Sequence, residues 1–323
     1  MHNPAMRNEV NQVEYVLGDW GTSRLRLFLM TDDAAAAYIE GPGIAALASH
    51  SPEQRLDVLS QLLASWSSPA GSSQVLLCGM AGARNGLVEV PYARLPLDSS
   101  KWLIGATTLQ TQSLAITIAA GVCSCGPGSS VDVMRGEETQ VFGAMQLDPD
   151  LGRGSHVLLL PGTHSKWILV SDGSIVRFRT AMTGELFALL REHSTLFRVS
   201  THGDDRESDP AAEREGFAAG VSRSRDGKLL AALFQARAGQ LLEDRSPCWA
   251  SGFVSGLLIG CEVGGFSETF RTAASACIIG DGALAARYRQ VFAARNLLSH
   301  SLDGDECAIT GLQYLRRHLS ENR

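Results

Sequence analysis

The sequence predicts an α/β fold in two lobes, and three observations lead to this prediction. Short apolar segments typical of buried strands alternate along the chain with segments whose apolar residues have helical spacing. A chain of 323 residues is also longer than a single hydrophobic core usually serves. Finally, one hairpin design occurs twice, at Tyr15–Phe28 and at Val157–Val170. We place the lobe boundary after residue 147, which predicts an N-terminal lobe of residues 1–147 and a C-terminal lobe of residues 148–323.

The first hairpin opens the N-terminal lobe. Its turn, Gly21-Thr22-Ser23, joins an apolar strand to a second strand rich in β-forming residues. Glycine lets the backbone approach a ligand closely, and turned amides beside hydroxyls form a concavity that binds anions. Gly21, Thr22 and Ser23 are therefore candidate phosphate-binding residues. Asp19, which precedes this turn, is a candidate ligand for a magnesium ion.

The second hairpin repeats this design with the turn Pro161-Gly162-Thr163-His164. Leu160 stands where the first hairpin has its aspartate, which suggests that a metal ion would lie on one side only. Either hairpin alone is compatible with an ordinary structural turn. The presence of both hairpins favours binding of a polyphosphate from two sides. Gly162, Thr163 and His164 are therefore the second set of nucleotide-binding candidates.

The elements that follow the first hairpin continue the N-terminal lobe. Pro52–Trp66 has helical spacing, and Val75–Cys78 and Ala115–Ala119 are typical of buried strands. The strand at Val75–Cys78 runs into the glycine-rich loop Gly79–Gly86. Open α/β sheets bind ligands at such strand ends. The substrate-binding candidates in this loop are Met80, Gly82 and Arg84.

An acidic helix start, Arg135-Gly136-Glu137-Glu138, precedes the second hairpin. Acidic residues stabilise the first turn of a helix, which accounts structurally for one of the two glutamates. We take Glu137 as the candidate catalytic base, because it directly follows the glycine that opens the helix. Glu138 would point about 100° further round the helix and would bind substrate, magnesium-bound water or helix amides. Arg135 is a further substrate-binding candidate.

Three further elements are predicted after the second hairpin. Thr183-Gly184-Glu185 is typical of a capped start to an amphipathic helix. Trp249–Val263 is apolar, with a glycine at every fourth position from Gly252 to Gly260. That spacing promotes dimerisation in membranes, but the segment is short for a span and contains Glu262. We therefore expect a buried helix that packs closely on a neighbouring element.

The third element is a strand, Ala276–Ile279, that leads through Gly280 into a helix at Ala283–Ala293. Gly280 begins a G-x-G-x-x-A pattern, the fingerprint of a dinucleotide-binding unit. Too few residues follow for the remaining strands of such a domain. We expect instead that Gly280 packs beside an adenine or a ribose. The Walker motif, the G-x-S-x-G elbow and a His-Glu-x-x-His helix are absent from the sequence.

The amino-acid composition indicates which binding partners and which cellular compartment to expect. The formal net charge is −6, with 28 basic against 34 acidic residues and no basic stretch, which argues against nucleic acid as the main partner. Met1–Glu14 lacks the apolar core of a signal peptide. Seven scattered cysteines fit reduced thiols, so we expect a cytoplasmic protein that does not contact a membrane. Cys123 and Cys125 are the one close pair, and zinc is not expected there.

These motifs resemble, in order, those of the sugar kinase, Hsp70 and actin superfamily, and most closely those of the 2-dehydro-3-deoxygalactonokinase family. The matching segments span most of the chain, and they are Asp19–Ser23, Val133–Gln140, Pro161–Trp167, Met182–Leu186 and Ser255–Val263. Three places depart from the family pattern. Thr22-Ser23 reverses the usual order, Arg84 is not expected, and Asp281-Gly282 replaces small hydroxyl residues.

The resemblance implies a two-lobed, actin-like ATPase (ribonuclease H-like) fold with an interlobe cleft. The N-terminal lobe would carry the sugar-acid site and the C-terminal lobe the adenosine site. The implied reaction transfers the γ-phosphate of ATP, with Mg²⁺, to the 6-hydroxyl of 2-dehydro-3-deoxy-D-galactonate in galactonate breakdown. Two alternatives remain: a kinase for 2-dehydro-3-deoxygluconate or another small sugar acid, and a non-catalytic nucleotide-binding regulator, which would need no acidic pair at Glu137-Glu138.

Overall fold

The computed structural model describes residues 14–66, 73–125, 130–197, 209–269 and 276–321, and it has the predicted α/β fold. Its strands are β1 (Glu14–Trp20), β2 (Arg24–Thr31), β3 (Ala34–Pro42), β4 (Ser73–Gly79), β5 (Ala93–Arg94), β6 (Thr107–Gln110), β7 (Leu114–Ile118), β8 (Val122–Ser124), β9 (Asp132–Met134), β10 (Ser155–Leu160), β11 (Ser165–Ser171), β12 (Ser174–Ala181), β13 (Ala276–Gly280) and β14 (Ser299–Asp303). Its α-helices are α1 (Pro52–Leu63), α2 (Ser99–Ile104), α3 (Glu137–Leu147), α4 (Thr183–His193), α5 (Pro210–Arg223), α6 (Leu229–Leu233), α7 (Gln235–Leu242), α8 (Pro247–Thr269), α9 (Gly282–Ala294) and α10 (Gly304–Glu321).

Two sheets with related topology organise the two halves of the chain. Their strand orders are β3-β2-β1-β4-β7-β6 and β12-β11-β10-β13-β14, and a small third sheet has the order β5-β8-β9. In both large sheets the first strand of the hairpin pairs antiparallel with the next strand and parallel with a strand from much later in the sequence. The repeat seen in the two hairpins therefore extends to whole sheets. This is the ribonuclease H-like arrangement of the actin-like ATPases.

The central strands are buried on both faces, which explains their continuous apolar sequences. Val75–Cys78 in β4 is fully buried, and Ala276–Ile279 in β13 is at most 5% exposed. Parallel strands covered by helices on both faces characteristically have such uninterrupted apolar runs. Val75–Cys78 was predicted as a buried strand and Ala276–Ile279 as a strand, and both predictions are confirmed.

The chain forms two compact units that differ from the predicted lobes at the C-terminus. The first unit extends to Leu147 and also takes the residues from Glu306 onward, whereas the second contains Asp148–Asp305. The helix α10 belongs to the first unit because it crosses α3 at glycines. A Cβ atom on Gly143 would overlap the carbonyl oxygen of Cys307. Sequence periodicity does not predict such a contact between distant segments.

The glycine-rich segment predicted as a buried helix is α8, and it packs closely against α5. A Cβ on Gly252 or Gly256 would overlap a backbone carbonyl oxygen of α5, and one on Gly216 or Gly220 would overlap a carbonyl oxygen of α8. Pro247–Phe266 is long and apolar enough to cross a membrane, but 72% of its most apolar 18-residue window is buried inside the protein. The glycines therefore serve helix packing within the second unit. The sequence analysis did not identify the two α5 glycines.

Candidate active site

The first hairpin presents an exposed turn that is held by its backbone. The Gly21 amide donates to the carbonyl oxygen of Arg24 (2.8 Å). The carbonyl oxygens of Gly21 and Thr22 accept hydrogen bonds from amides of the short 3₁₀ helix Ile44–Leu47, at 3.2 and 3.0 Å. Thr22 and Ser23 are exposed. The turn is thus fixed in place while its hydroxyl groups face solvent.

Asp19 lies at the meeting point of three segments of the first unit. Its Oδ2 pairs with Nη2 of Arg26, its antiparallel neighbour on β2. Its Oδ1 faces two glycines, since a Cβ built on Gly79 would lie 3.0 Å from it and one on Gly136 3.9 Å. Both glycines have positive φ, of 77° and 111°, which a residue with a side chain would adopt only with strain. The first hairpin, the Gly79 loop and the acidic helix start therefore converge on this carboxylate.

Glu138 is the buried member of the acidic pair. Its side chain is 1% exposed, both of its carboxylate oxygens accept from the Gly136 amide (3.0 and 2.8 Å), and the Thr139 hydroxyl donates to Oε1 (3.2 Å). Burial, with repulsion from Glu137, raises the pKa of Glu138 to about 8, even though the backbone amides favour its charged form. Glu138 is therefore mainly neutral at pH 7.

Glu137 is only partly buried, and it begins α3. Its Oε2 accepts a hydrogen bond from the amide of Arg135 (2.9 Å), which holds the carboxylate at the N-terminus of the helix. The helix dipole favours a negative charge at this position. The two adjacent glutamates thus differ in accessibility.

Arg135 and Gly82, two predicted substrate-binding residues, are in contact. The guanidinium stacks on the Tyr92 ring at 4.2 Å from its centroid, and Nη2 donates to the carbonyl oxygen of Val90 (2.7 Å). A Cβ on Gly82 would lie 2.8 Å from Nη1, so the absence of a side chain lets this guanidinium lie close to the loop backbone. Nε and Nη1 of Arg135 are buried without a hydrogen-bond partner in the part of the chain that the structure describes.

The other two loop candidates have different surroundings. Met80 packs partly buried against the hydrophobic core of the first unit. The Arg84 side chain is 89% exposed, and its Nε lies 3.6 Å from a carboxylate oxygen of Glu89. The structure therefore does not bring Arg84 together with Arg135.

The second hairpin is held by the start of α4. A Cβ on Gly184 would overlap the carbonyl oxygen of Gly162, and the Glu185 amide donates to the carbonyl oxygen of Thr163 (2.9 Å). Nε2 of His164 is hydrogen-bonded to the Glu185 carboxylate, so this nitrogen is committed. By contrast, nothing lies within 4 Å of a Cβ built on Gly162. Open space therefore borders the turn at this glycine.

A cavity of about 310 Å³ borders that glycine within the second unit. This volume lies at the lower end of the range typical of small-molecule sites. Its lining is Gly162, Thr183, Gly184, Phe187, Ser255, Leu258, Ile259, Asp281, Ala283, Leu284, Arg287 and Tyr288. An apolar wall with a few polar side chains is the composition expected of a nucleoside pocket.

A buried carboxylate connects this cavity to the second hairpin. Glu262 accepts hydrogen bonds from Nε1 of Trp167 and from the hydroxyl of Tyr288, both at 2.7 Å. The Tyr288 hydroxyl also lies 3.0 Å from Oγ of Ser165. Burial raises the pKa of Glu262, although hydrogen bonds from Thr183, Tyr288, Trp167 and Ser165 favour its charged form. The sequence signal was one glutamate in an apolar segment, but its partners could not be identified from the sequence.

The same carboxylate explains a wrong prediction about α4. Thr183 does not cap this helix, because the N-cap is Met182 and no side chain caps it. The hydroxyl of Thr183 hydrogen bonds to Glu262 instead. A buried acceptor competes successfully for a hydroxyl that could otherwise have bonded the first helix amides.

Gly280 lies beside the second hairpin, since a Cβ built on it would be 3.6 Å from Cδ of Pro161. The next residue, Asp281, caps α9 and lines the cavity. Four other cavity residues with polar groups were not identified as binding residues from the sequence, and they are Thr183, Ser255, Arg287 and Tyr288. They come from three helices, so no single short motif contains all four.

Two sheets of related ribonuclease H-like topology, each begun by a hairpin with a glycine turn, are the fold of the actin-like ATPases and sugar kinases. The model of the 2-keto-3-deoxy-galactonokinase family matches residues 19–315. The chain therefore belongs to the 2-keto-3-deoxy-galactonokinase family.

Individual relatives agree with this membership. A probable 2-dehydro-3-deoxygalactonokinase of Rhizobium meliloti is 35% identical over 94% of this chain and 96% of its own. The 2-dehydro-3-deoxygalactonokinase of Escherichia coli is 32% identical over 93% and 96%. A crystal structure from Sinorhizobium meliloti, whose protein is described as a candidate 2-dehydro-3-deoxygalactonokinase, superposes with a TM-score of 0.83. It is 34% identical and covers 94% of this chain and 96% of that one.

Proposed function

We propose that the protein transfers the γ-phosphate of ATP to the 6-hydroxyl of 2-dehydro-3-deoxy-D-galactonate, a step of D-galactonate breakdown in the cytoplasm. The observation that carries this proposal is the pair of carboxylates Asp19 and Glu137, of which Asp19 faces the glycine that opens the helix of Glu137. A regulator that only binds nucleotide has no need of such a pair. The names of the relatives supply the substrate.

The two hairpin turns would hold the phosphates. In the first unit, Thr22 and Ser23 offer amides and exposed hydroxyls as donors, while Gly21, whose amide holds the turn through Arg24, lets a phosphate approach the backbone. In the second unit, the space beside Gly162 lets a phosphate approach the backbone. Thr163 and His164 would contribute backbone amides and the threonine hydroxyl, because the His164 ring is engaged by Glu185.

Glu137 would act as the general base. It would accept the proton of the 6-hydroxyl while that oxygen forms a bond to the γ-phosphorus and the bond to the leaving oxygen of ADP breaks. A base must be ionised and accessible, and Glu137 is partly exposed. Glu138 is buried and mainly neutral at pH 7, which leaves it to fix the helix start through Gly136.

Magnesium would be held at Asp19. Oδ1 of this residue accepts no hydrogen bond from the described part of the chain and faces the space beside Gly79 and Gly136. Among the described residues there is no group of three or more His, Cys, Asp and Glu that could hold a metal. One carboxylate completed by waters and phosphate oxygens is nevertheless typical of Mg²⁺, whose charge neutralises the phosphates.

Asp19→Asn would test this metal site. We expect the variant to need a higher magnesium concentration for half-maximal turnover, because its neutral amide attracts the ion less. Calorimetric titration with Mg²⁺ and a non-hydrolysable ATP analogue provides a second readout. Unchanged magnesium dependence in a folded variant would contradict the assignment.

The sugar acid would bind on the Gly79–Gly86 side of the first unit. Gly82 and Arg135 form one contact there, and the guanidinium supplies positive charge for a carboxylated substrate. Met80 would supply apolar surface. The exposed Arg84 would act at the rim of this loop, where a long cation can reach an anionic ligand.

A coupled assay of ADP release tests the proposal. The purified protein is incubated with ATP, Mg²⁺ and, separately, 2-dehydro-3-deoxygalactonate, its gluconate epimer and related sugar acids. We expect ADP release that depends on the acid and is fastest with the galactonate form, and a 6-phosphate in the product by phosphorus NMR. Faster turnover of the gluconate epimer would show that this epimer is the preferred substrate. ATP binding without turnover of any acid would favour a non-catalytic regulator.

A further inference from the structure

The cavity in the second unit contains polar groups that are mostly committed to protein partners. The hydroxyls of Thr183 and Tyr288 hydrogen bond to Glu262. Arg287 donates to Oγ of Ser255 (3.0 Å) and to a carboxylate oxygen of Glu213 (2.6 Å). These side chains form part of the cavity wall, but their strongest donors and acceptors are already hydrogen-bonded to other protein groups.

Asp281 differs from them because one of its carboxylate oxygens remains available. Oδ1 accepts from the amides of Ala283 (3.0 Å) and Leu284 (2.9 Å) and so caps α9. Oδ2 accepts no hydrogen bond from the residues that the structure describes, and the residue is exposed where it lines the cavity. The capped amides cannot bind a phosphate as well, and the negative charge would repel one. This end of the cavity therefore suits a neutral ligand group that donates hydrogen bonds.

The position of Asp281 identifies that group. It follows Gly280, which lies beside Pro161 of the second hairpin, where the phosphates would bind. The apolar side chains Phe187 and Leu258 supply a wall suited to a base. In a nucleotide the ribose joins the base to the phosphates, and its hydroxyls donate well to a carboxylate.

We propose that Asp281 recognises the ribose hydroxyls of the nucleotide through Oδ2 and thereby makes the enzyme select ribonucleotides over deoxyribonucleotides. This inference rests on the proposed use of ATP. A site that hydrogen bonds a substrate hydroxyl discriminates against an analogue lacking it, because the analogue cannot form that bond. Asp281 is thus a specificity residue that contacts the substrate away from the reacting atoms.

The test compares ATP with 2′-deoxy-ATP and 3′-deoxy-ATP in the wild type and in Asp281→Ser. Serine keeps the helix cap, since it is as good an N-cap as aspartate. We expect the wild type to prefer ATP about tenfold or more in kcat/KM over at least one deoxy analogue. Asp281→Ser should raise the KM for ATP about tenfold, leave kcat within about twofold, and reduce the preference to near one.

Asp209→Ser provides a matched control for the helix cap. Asp209 caps α5 with Oδ1 bonded to the amides of Ala211 (3.0 Å) and Ala212 (2.9 Å), the same geometry as at α9, but it does not line the cavity. This variant should keep the wild-type nucleotide preference. Thermal unfolding of both variants shows whether the fold is retained.

Two results would overturn the proposal: a wild type that uses ATP and both deoxy analogues equally well, or an Asp281→Ser variant that retains the full preference. Calorimetry with a non-hydrolysable ATP analogue and its deoxy form distinguishes failure of the Asp281 proposal from failure of the proposed kinase function. Nucleotide binding with ribose discrimination but no turnover would contradict the kinase activity and still support Asp281. Complete lack of nucleotide binding would overturn both.

Discussion

The two adjacent glutamates at the start of α3 show how strongly burial differentiates side chains of one type. Glu138 is 1% exposed, whereas Glu137 is partly exposed and accepts a hydrogen bond from the Arg135 amide. Adjacent residues in the first turn of a helix point in different directions, so Glu138 faces the interior and Glu137 faces the candidate site. Each therefore has its own testable role.

Removal of the proposed base, Glu137, should slow catalysis without weakening nucleotide binding. We expect Glu137→Gln to lower kcat by about 10²- to 10⁴-fold, because a general base typically contributes that much. Glu138→Gln, the matched control, should lower kcat less, since glutamine resembles the neutral form of that residue. Steady-state kinetics with calorimetric ATP binding makes the comparison. A larger loss of kcat in Glu138→Gln would reverse the two roles.

The raised pKa of Glu138 also predicts how stability depends on pH. Since its pKa is about 8 in the folded protein and about 4.5 ordinarily, the folded state binds the proton more tightly. This contribution to stability is fully present below about pH 4.5 and is lost as pH rises through about 8. The wild type should therefore lose stability relative to Glu138→Gln across that window, as measured by urea unfolding. Parallel pH curves for the two proteins would contradict the assignment.

Among the secondary structure elements, the crossing of α5 and α8 depends on the absence of side chains. A Cβ on Gly220 would overlap the carbonyl oxygen of Phe253, and backbone cannot rotate away as a side chain can. We expect Gly220→Ala to destabilise the protein by about 1–3 kcal/mol, the usual cost of overpacking. Thermal and urea unfolding measure the effect.

Gly265→Ala is the control for helix propensity. Gly265 lies in α8, is exposed, and has nothing within 4 Å of a Cβ built on it. Alanine there should be neutral or stabilise by up to about 1 kcal/mol, because it favours helix over glycine. Equal destabilisation by both substitutions would show that the crossing is not the cause.

Over the whole molecule, the chain leaves its first unit at residue 147 and returns to it with α10. The buried Cys307, Leu312 and Leu315 of this helix are at most 1% exposed, and Gln313 donates to the carbonyl oxygen of Asp33 (2.8 Å). The first unit is therefore completed by a segment that lies far from its other residues in the sequence. Residues near the start and the end of the sequence depend on each other for stability.

Truncation after Asp303 tests this dependence. Loss of α10 uncovers α3, which carries Glu137, so we expect the truncated protein to unfold at lower temperature and to lose kinase activity. Nucleotide binding, measured by calorimetry, should survive better because the cavity lies in the second unit. A control truncated after Glu321 should behave as the full chain. Retention of full activity without α10 would contradict the prediction.

The sequence by itself determined the features that are local. Both hairpins, the strand at Val75–Cys78, the acidic helix start and the family are read from short segments, because strand and helix periodicity and turn chemistry depend on nearby residues. The close packing of α8 also followed from its own glycine spacing, although its partner did not. Local sequence was thus sufficient for the fold class and for the order of the site motifs.

Only the tertiary structure decided what depends on distant residues meeting. It buried Glu138 and left Glu137 accessible, moved α10 to the first unit, and engaged Thr183 with Glu262 instead of a helix cap. Burial, desolvation and the choice among hydrogen-bond partners are set by neighbours from elsewhere in the chain, which no local pattern contains. For the same reason the cavity of the second unit, lined by residues from α4, α8 and α9, could be described only after the chain was folded.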